Sequence, residues 1–438
     1  MVGEVTEKNN FIDKISRALK LKVDKVNTDL TYTSAHTLIG SVTGDKIYVS
    51  THLGPLSPDI LCMVVAESGT NKTLIHTPVY KSIKEMKLII PAVFTTQSLP
   101  HYFAKRRVVD GEEFGYINPN YGLVFWNEAS GQFAEAQTKE WRRGVIEMLS
   151  DIYDHTLKET YVKDEERCVI NPQNPYISLL GNMVPKYFLN IPETFFAQGI
   201  AGRMHWCYIS AEHPGKLEDE PDWNKLSNYN EYIDEFDTVN KRLVKLHSQL
   251  RDLKNSHRVL IDDNANKLIK EFSYKCKMEW YLGSQHNPFG WNWQYFKRLP
   301  EMGCKAALRY AIADNIDDIN GLKNITGETM KRGIQFAKAS SEALEKLFAI
   351  RIGMASKISP FERACNALRE ANNGMLTNKQ WQNNSGVTNN NDWQRLREDV
   401  ISKGYAVEID KSIIENEDEM SRLQVRTAAK IYKWIKTT

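Results

Sequence analysis

No run in the 438-residue sequence approaches the ~20 consecutive apolar residues that a membrane span requires. Its six cysteines, Cys62, Cys168, Cys207, Cys276, Cys304 and Cys365, stand far apart with no C-x-x-C pair. That spacing argues against a zinc site or a disulfide framework and suits a reducing compartment. The opening stretch, Met-Val-Gly-Glu-Val-Thr-Glu-Lys-Asn-Asn, lacks an apolar signal core. Charge of one sign is also scarce: 57 Lys and Arg against 55 Asp and Glu leave +2, so any basic surface must be local. These absences predict a soluble cytoplasmic protein with no membrane partner, long enough for two or three domains.

What is present centres on residues 59–80. Ile60 to Val65 is a short apolar run of the kind a buried parallel strand needs. It breaks at Ala66-Glu-Ser-Gly-Thr-Asn, and a helical pattern opens at Lys72-Thr73. Strand, turn and a helix starting Lys-Thr is the layout of a phosphate-binding loop, though an ordinary helix start fits the local string too. In that layout the backbone of Glu67, Ser68, Gly69, Thr70 and Asn71 cradles phosphate, Lys72 adds a mobile charge, and Thr73 reaches Mg²⁺. The match to G-x-x-x-x-G-K-[ST] departs at two glycines, replaced by Ala66 and Asn71. Asn tolerates the left-handed backbone such a turn demands.

Along the rest of the chain, residues 1–30 read as a polar helical lead-in, and Tyr32 to Ser50 mixes helix and strand signals. Leu88 to Phe94 is a second buried strand candidate, with Thr95-Thr96 able to cap a following helix. Tyr121-Gly-Leu-Val-Phe-Trp runs into Asn127-Glu128 and a Ser-Gly turn. A carboxylate at such a strand end can hold Mg²⁺ or orient attacking water; here Asn127 takes the first position and Glu128 the second. Trp141 to Asp154 is an amphipathic helix opening with Arg142-Arg143. Tyr176 to Met183 is another buried strand, ending in Asn182, where a γ-phosphate sensor would sit. Arg203 follows a glycine-rich turn. From Asn224 to Leu260 an apolar stripe at spacings of three and four predicts one long helix. Helices continue over 264–350, with aromatic and basic residues mixed around Trp280 and Trp291 that could stack bases. Three short helices and a closing strand at the C-terminus follow a winged helix-turn-helix pattern. In it Asn389 to Arg397 is the recognition helix, Arg395 and Arg397 meet phosphates, and Arg426 to Lys436 forms a basic helical tail.

With these residues in hand, the chain from about 28 to 350 resembles the P-loop ATPases found beside primase domains in phages, plasmids and archaeal viruses, relatives of the RecA-like replicative helicases. The pieces carrying the resemblance are Val-Ala-Glu-Ser-Gly-Thr-Asn-Lys-Thr, the strand before Glu128-Ala-Ser-Gly, Ile152-Tyr153-Asp154, Pro175 to Asn182, Gly199 to Arg203, and Phe296 to Ala307. The resemblance implies an α/β fold: a RecA-like P-loop NTPase core with a mostly parallel sheet over 31–215, a helical region over 216–355, and the winged helix over 356–438.

It further implies ATP and Mg²⁺ as cofactors. Residues 67–73 would hold the phosphates, Thr73 and Asn127 the metal. Glu128 would polarise water, Asn182 would sense the γ-phosphate, and Arg203 would act as an arginine finger in a neighbouring subunit. A finger in trans implies a homo-oligomer, a hexameric ring above all. Lys139, Arg142 and Arg143 would face DNA, single-stranded in the first instance. The expected activity is a DNA-dependent ATPase, a helicase or annealing motor in the replication or recombination of a virus or mobile element, in the host cytoplasm beside other replication proteins. Two alternatives stay open: a DNA-binding adaptor on an inactive or nucleotide-gated P-loop scaffold, and a packaging motor. Asn127 in place of an acid leaves slow turnover open as well.

Overall fold

The computed structural model describes residues 10–23, 26–52, 54–104, 118–138, 144–157, 173–189, 191, 195–196, 199–210, 229–286, 292–357, 360–369, 371, 374–385, 387, 389–403, 405–410 and 430–435. It is an α/β protein of two compact units, Met1–Leu347 and Phe348–Thr438. The break falls before the expected 356, and the helical region expected from 216 shares the first unit.

The first unit begins with α1 (Phe11–Leu21), capped by Asn10. The Asn10 side chain accepts from the Ile12 N–H at 2.8 Å, and Asp13 accepts from the Asn10 N–H at 3.2 Å. The expected polar lead-in is instead core: α1 buries Phe11, Ile12, Ile15, Ala18 and Leu19, and Asp13 pairs with Arg332 at 2.7 Å. Next, α2 (Thr28–Thr43) is buried on nearly every side. Its hydroxyls explain how a stretch rich in Thr and Ser can lie there. Ser34, Thr37 and Ser41 each donate to the carbonyl four residues back, at 2.8, 2.8 and 2.7 Å, so little polar surface needs outside partners.

Strands β1 (Ile47–Thr51) and β2 (Gly54–Leu56) follow, then β3 (Leu61–Ala66), buried at every residue. The chain continues through α3 (Lys72–Glu85), β4 (Ile89–Ile90), α4 (Ser98–Tyr102), β5 (Tyr121–Trp126), α5 (Ala129–Thr138), α6 (Val145–Tyr153), β6 (Tyr176–Met183), α7 (Pro185–Phe188) and β7 (Met204–Ile209). The turn expected at Ser130-Gly131 is the opening of α5, where buried Ala129 and Phe133 carry the helix inward. The five strands form one parallel sheet in the order β4-β5-β6-β3-β7. The connection after β3 runs to one edge, and the connection after β6 runs back over β3 to the other. Crossovers of a single hand put these connections on opposite faces. A crevice therefore opens at the carboxyl ends of β3 and β6.

Beyond this sheet come α8 (Tyr229–Asp252), β8 (His257–Ile261), α9 (Asp263–His286), α10 (Leu299–Asp314), β9 (Asn324–Ile325) and α11 (Gly327–Lys357). The single helix expected over 224–260 ends at Asp252, and His257–Ile261 pairs in parallel with β1. Its stripe is real up to that point, since Val239, Leu243, Leu246 and Leu250 are buried. The second sheet has the order β2-β1-β8-β9.

The second unit holds α12 (Pro360–Arg369), β10 (Met375–Thr377), α13 (Asn378–Ser385), α14 (Asn390–Ser402), β11 (Ala406–Ile409) and β12 (Ile431–Trp434). Its sheet is antiparallel, in the order β10-β12-β11, and packs a core of Leu368, Trp381, Trp393, Val400 and Tyr432. The helix expected over Arg426–Lys436 is corrected at Ile431–Trp434. That aromatic and β-branched run fills the centre of the sheet, bonded on both sides. Among the described residues no helix is long and apolar enough to cross a membrane.

Candidate functional site

The crevice is floored by the bend between β3 and α3. Asn71, at the N-cap of α3, takes the left-handed conformation, φ 60° and ψ 14°, in place of the extended backbone usual at a cap, and Asn tolerates it better than most residues. Gly69 turns at φ 88° with no heavy atom within 4 Å of where a Cβ would stand, so the bend is open on that side. The Thr70 hydroxyl donates to the Glu67 carbonyl at 2.8 Å and ties the bend to itself. No side chain caps α3, and its first turn carries no acid. Its free N–H groups and dipole therefore face outward beside exposed Glu67, Ser68 and Thr73.

Lys72 bends back across the strand ends. Its ammonium donates to the Ala66 carbonyl and, at 3.4 Å, to the Met183 carbonyl, bridging β3 and β6. Burial lowers its pKa, while the carboxylates of Glu128 and Glu67 pull the other way. Glu128 and Asn127 are exposed after β5, and Glu128 accepts a hydrogen bond from Ser130. Asn182 sits on β6 beside Val64 of β3, 3% exposed, with neither side-chain polar atom in a well-formed hydrogen bond among the described residues. His76, one turn into α3, is fully buried next to it, and neither ring nitrogen makes a well-formed hydrogen bond among the described residues. Burial lowers its pKa to about 3; hydrogen bonding with the adjacent Asn182 opposes the shift and the charge of Lys72 adds to it. The fold thus gathers Lys72, Glu128 and Asn182, three residues far apart in sequence, at one end of one sheet.

Arg203 is not among them. It precedes β7, at the amino end of the sheet, about 20 Å of strand away from the bend. Its guanidinium donates to Asp154 at 3.0 Å and to the Gly199 carbonyl at 3.3 Å, leaving the side chain 13% exposed. Lys139, Arg142 and Arg143 lie outside the described residues. In the second unit Arg395 is exposed on α14. Arg397 is partly buried, donates to Asn378 at 3.0 Å and lies 5.7 Å from the Tyr432 ring, so packing occupies much of it.

Two features went unread in the sequence. His76 had a signal, standing four residues after Lys72 on the inner face of a helix. The other, at the amino end of the sheet, had none. There Asp59, 1% exposed, accepts from Lys305 at 3.2 Å, meets His155 Nε2 at 2.9 Å and accepts from Ser57. Burial alone would raise its carboxyl, but Lys305 and His155 outweigh burial and hold it below the usual range. Arg309, fully buried, donates to His36 at 3.0 Å and to the Pro58 carbonyl at 2.8 Å.

The residues at the bend fit a polyphosphate: an uncapped helix start, an open glycine turn, and a half-buried lysine whose acceptors among the described residues are backbone carbonyls. For a divalent cation the donors are sparser. Thr73, Asn127 and Glu128 are the candidates, and no group of three or more His, Cys, Asp or Glu able to hold a metal occurs among the described residues. No family model matches the chain, and no curated protein matches it significantly.

Proposed function

We propose that this protein is a P-loop nucleoside triphosphatase of RecA-like type that acts on DNA in the replication or recombination of a virus or mobile element. The observation that carries the reading is Lys72 lying over the carboxyl ends of β3 and β6 at an uncapped helix start, with Glu128 and Asn182 on the two neighbouring strand ends. The strand order supports it, because β6, with Asn182, stands between the loop strand and the Glu128 strand. A polar side chain on that middle strand is well placed to read a terminal phosphate.

In this reading the N–H groups of residues 67–73 and the Lys72 ammonium bind the β- and γ-phosphates of ATP, releasing Lys72 from its carbonyls. Thr73 and Asn127 are the side chains that would hold Mg²⁺, whose chemistry is to neutralise charge on the phosphates. Glu128 orients the attacking water. Asn182 donates its amide to the γ-phosphate and so acquires the partner it lacks. Asn127 brings no charge to the metal, which favours slow turnover. Arg203 serves a neighbouring subunit in a ring, exchanging Asp154 for the transferring phosphate.

DNA contact is shared with the second unit, whose helix–strand–helix–helix–strand–strand order suits a winged helix with Arg395 outward. The adaptor reading draws on the same unit and on the missing acid at Asn127.

ATP binding and steady-state hydrolysis, with and without single-stranded DNA, test these assignments. Lys72→Ala should weaken ATP binding by roughly 10- to 150-fold, the worth of a charge-assisted hydrogen bond; unchanged affinity removes the site. Arg203→Ala should abolish turnover at full occupancy of ATP, and an unaltered rate removes the finger.

A further inference from the structure

The second sheet of the first unit has a crevice of its own. Strands β1 and β8 run parallel with Val49 beside Val259, so their carboxyl ends, Ser50 and Thr51 on one and Leu260 and Ile261 on the other, lie side by side. The space outside the carboxyl ends of parallel strands is where α/β folds leave room for a ligand. Here it is a cleft of about 750 Å³, walled by α9 and by the first turns of α10. Its volume falls within the roughly 300–1,000 Å³ of typical ligand pockets.

One face of α9 lines this cleft. Asn266, Ile269, Lys270, Ser273, Tyr274 and Lys277 recur at spacings of three, one, three, one and three, the repeat of a single helix side. The apolar lining is left open: Leu260 is 49% exposed and Tyr274 66%, while Leu56 and Cys304 are buried. Burial pushes the Cys304 thiol up to about 12, with the charge of Glu301 adding to the shift. The thiol therefore stays protonated and supplies apolar surface rather than a nucleophile.

Of lysines and acids, the described lining holds Lys270, Lys277 and Glu301. Both lysines are exposed, whereas Glu301 is buried and its carboxylate is paired with Arg298 at 3.0 Å. Asp262, which follows β8, accepts from the Ala265 N–H at 2.7 Å and so caps α9. The cleft thus joins an open apolar lining to the positive charge of its two lysines.

From this arrangement we infer that the cleft binds a small organic anion with an apolar, ring-sized body. The body lies against Leu260, Tyr274 and the buried part of the lining, its anionic group meets Lys270 and Lys277, and Asn266 and Ser273 supply hydrogen bonds to polar substituents. An inorganic anion would leave the apolar lining unused, and an uncharged apolar molecule would leave the lysines unused; an amphipathic anion engages both. The inference is independent of the nucleotide reading, since none of these residues belongs to the β3–α3 bend.

The test uses anilinonaphthalene sulfonate, an aromatic anion, titrated by fluorescence into the full chain beside phenylnaphthylamine, its analogue without the sulfonate. Wild type should bind the sulfonate dye saturably and more tightly than the uncharged one. Lys270→Gln with Lys277→Gln should weaken the sulfonate dye by roughly 2- to 30-fold, the range of two exposed charge pairs, and leave the uncharged dye unchanged. Leu260→Glu, which sets a carboxylate in the lining, should weaken both dyes. Lys275→Gln, exposed on α9 but outside the described lining, should weaken neither. All of these residues are exposed, and circular dichroism with the urea midpoint checks that the variants fold. If the double lysine variant keeps the preference for the sulfonate, or if Leu260→Glu binds as wild type does, the cleft is overturned as the site. If ATP displaces the dye and Lys72→Ala abolishes its binding, the dye marks the bend: this inference falls while the nucleotide reading stands. If wild type binds neither dye saturably, this inference alone falls.

Discussion

The two ends of the parallel sheet treat two deeply buried side chains, Asp59 and Asn182, in opposite ways. At the amino end, Asp59 has both carboxylate oxygens engaged, by Lys305 on one and by His155 and Ser57 on the other. At the carboxyl end, Asn182 and His76 are as deeply buried and lie against each other, and neither makes a well-formed hydrogen bond among the described residues. An unsatisfied buried polar group costs about 1–3 kcal/mol, so a fold keeps such groups where something else supplies the missing bond. At the amino end the charge of Asp59 is locked in place, although Arg309 Nη2 and His36 Nε2 make no hydrogen bond there among the described residues. The carboxyl end leaves Asn182 without a well-formed bond and Lys72 on backbone carbonyls alone among the described residues, as the proposed nucleotide site would require.

The sharpest way to break this contrast is to substitute one lysine at each end. Lys305→Met strands the Asp59 charge in the interior and should destabilise the fold by about 3–5 kcal/mol. Lys72→Ala should cost less than about 1 kcal/mol while removing nucleotide affinity. Urea unfolding of both variants makes the comparison, and equal losses would erase the distinction.

A smaller effect concerns the imidazoles. Burial lowers the pKa of His205 to about 3, with Arg309 adding to the shift, and His36 is held well below its usual value by burial and by the same arginine. These rings are neutral in the fold, while in the unfolded chain they take up protons below about pH 6.5. The unfolded state then binds more protons, so stability falls as pH drops from 6.5 toward 3. Each ring contributes up to about 1.4 kcal/mol per pH unit. His205 lies flat on Phe336, ring centroids 3.8 Å apart, so His205→Phe can keep the stack and discard the proton linkage. Denaturation midpoints measured between pH 7 and 5 should decline less steeply in that variant; an identical decline would exonerate His205.

Much of the first sheet was legible. The apolar runs of β3, β5 and β6 have the length and composition of buried parallel strands, and Lys-Thr after the Asn71 turn marked where α3 begins. The register that brings Asn182 beside Val64 was not legible, because it depends on which strands pair. Similarly, α2 was ambiguous since its Thr favour strands and its Ser favour caps and turns, and both are accommodated by bonding back into their own helix. The stripe of α8 was read past its end, because periodicity carries no notice that His257 will find β1. Ile431–Trp434 was misread for the same reason: four residues become a strand only when two partners wait on either side.

By itself, then, the sequence determined the buried strands β3, β5 and β6 and the residue types at the β3–α3 bend, since apolar runs, backbone preference and a lysine at a helix start are local properties. Only the tertiary structure decided that Arg203 rests on Asp154 at the far end of the sheet and that Asp59 is locked by a lysine 246 residues away. Those outcomes depend on which surfaces are covered by segments distant in the chain, and no local pattern encodes what will cover it.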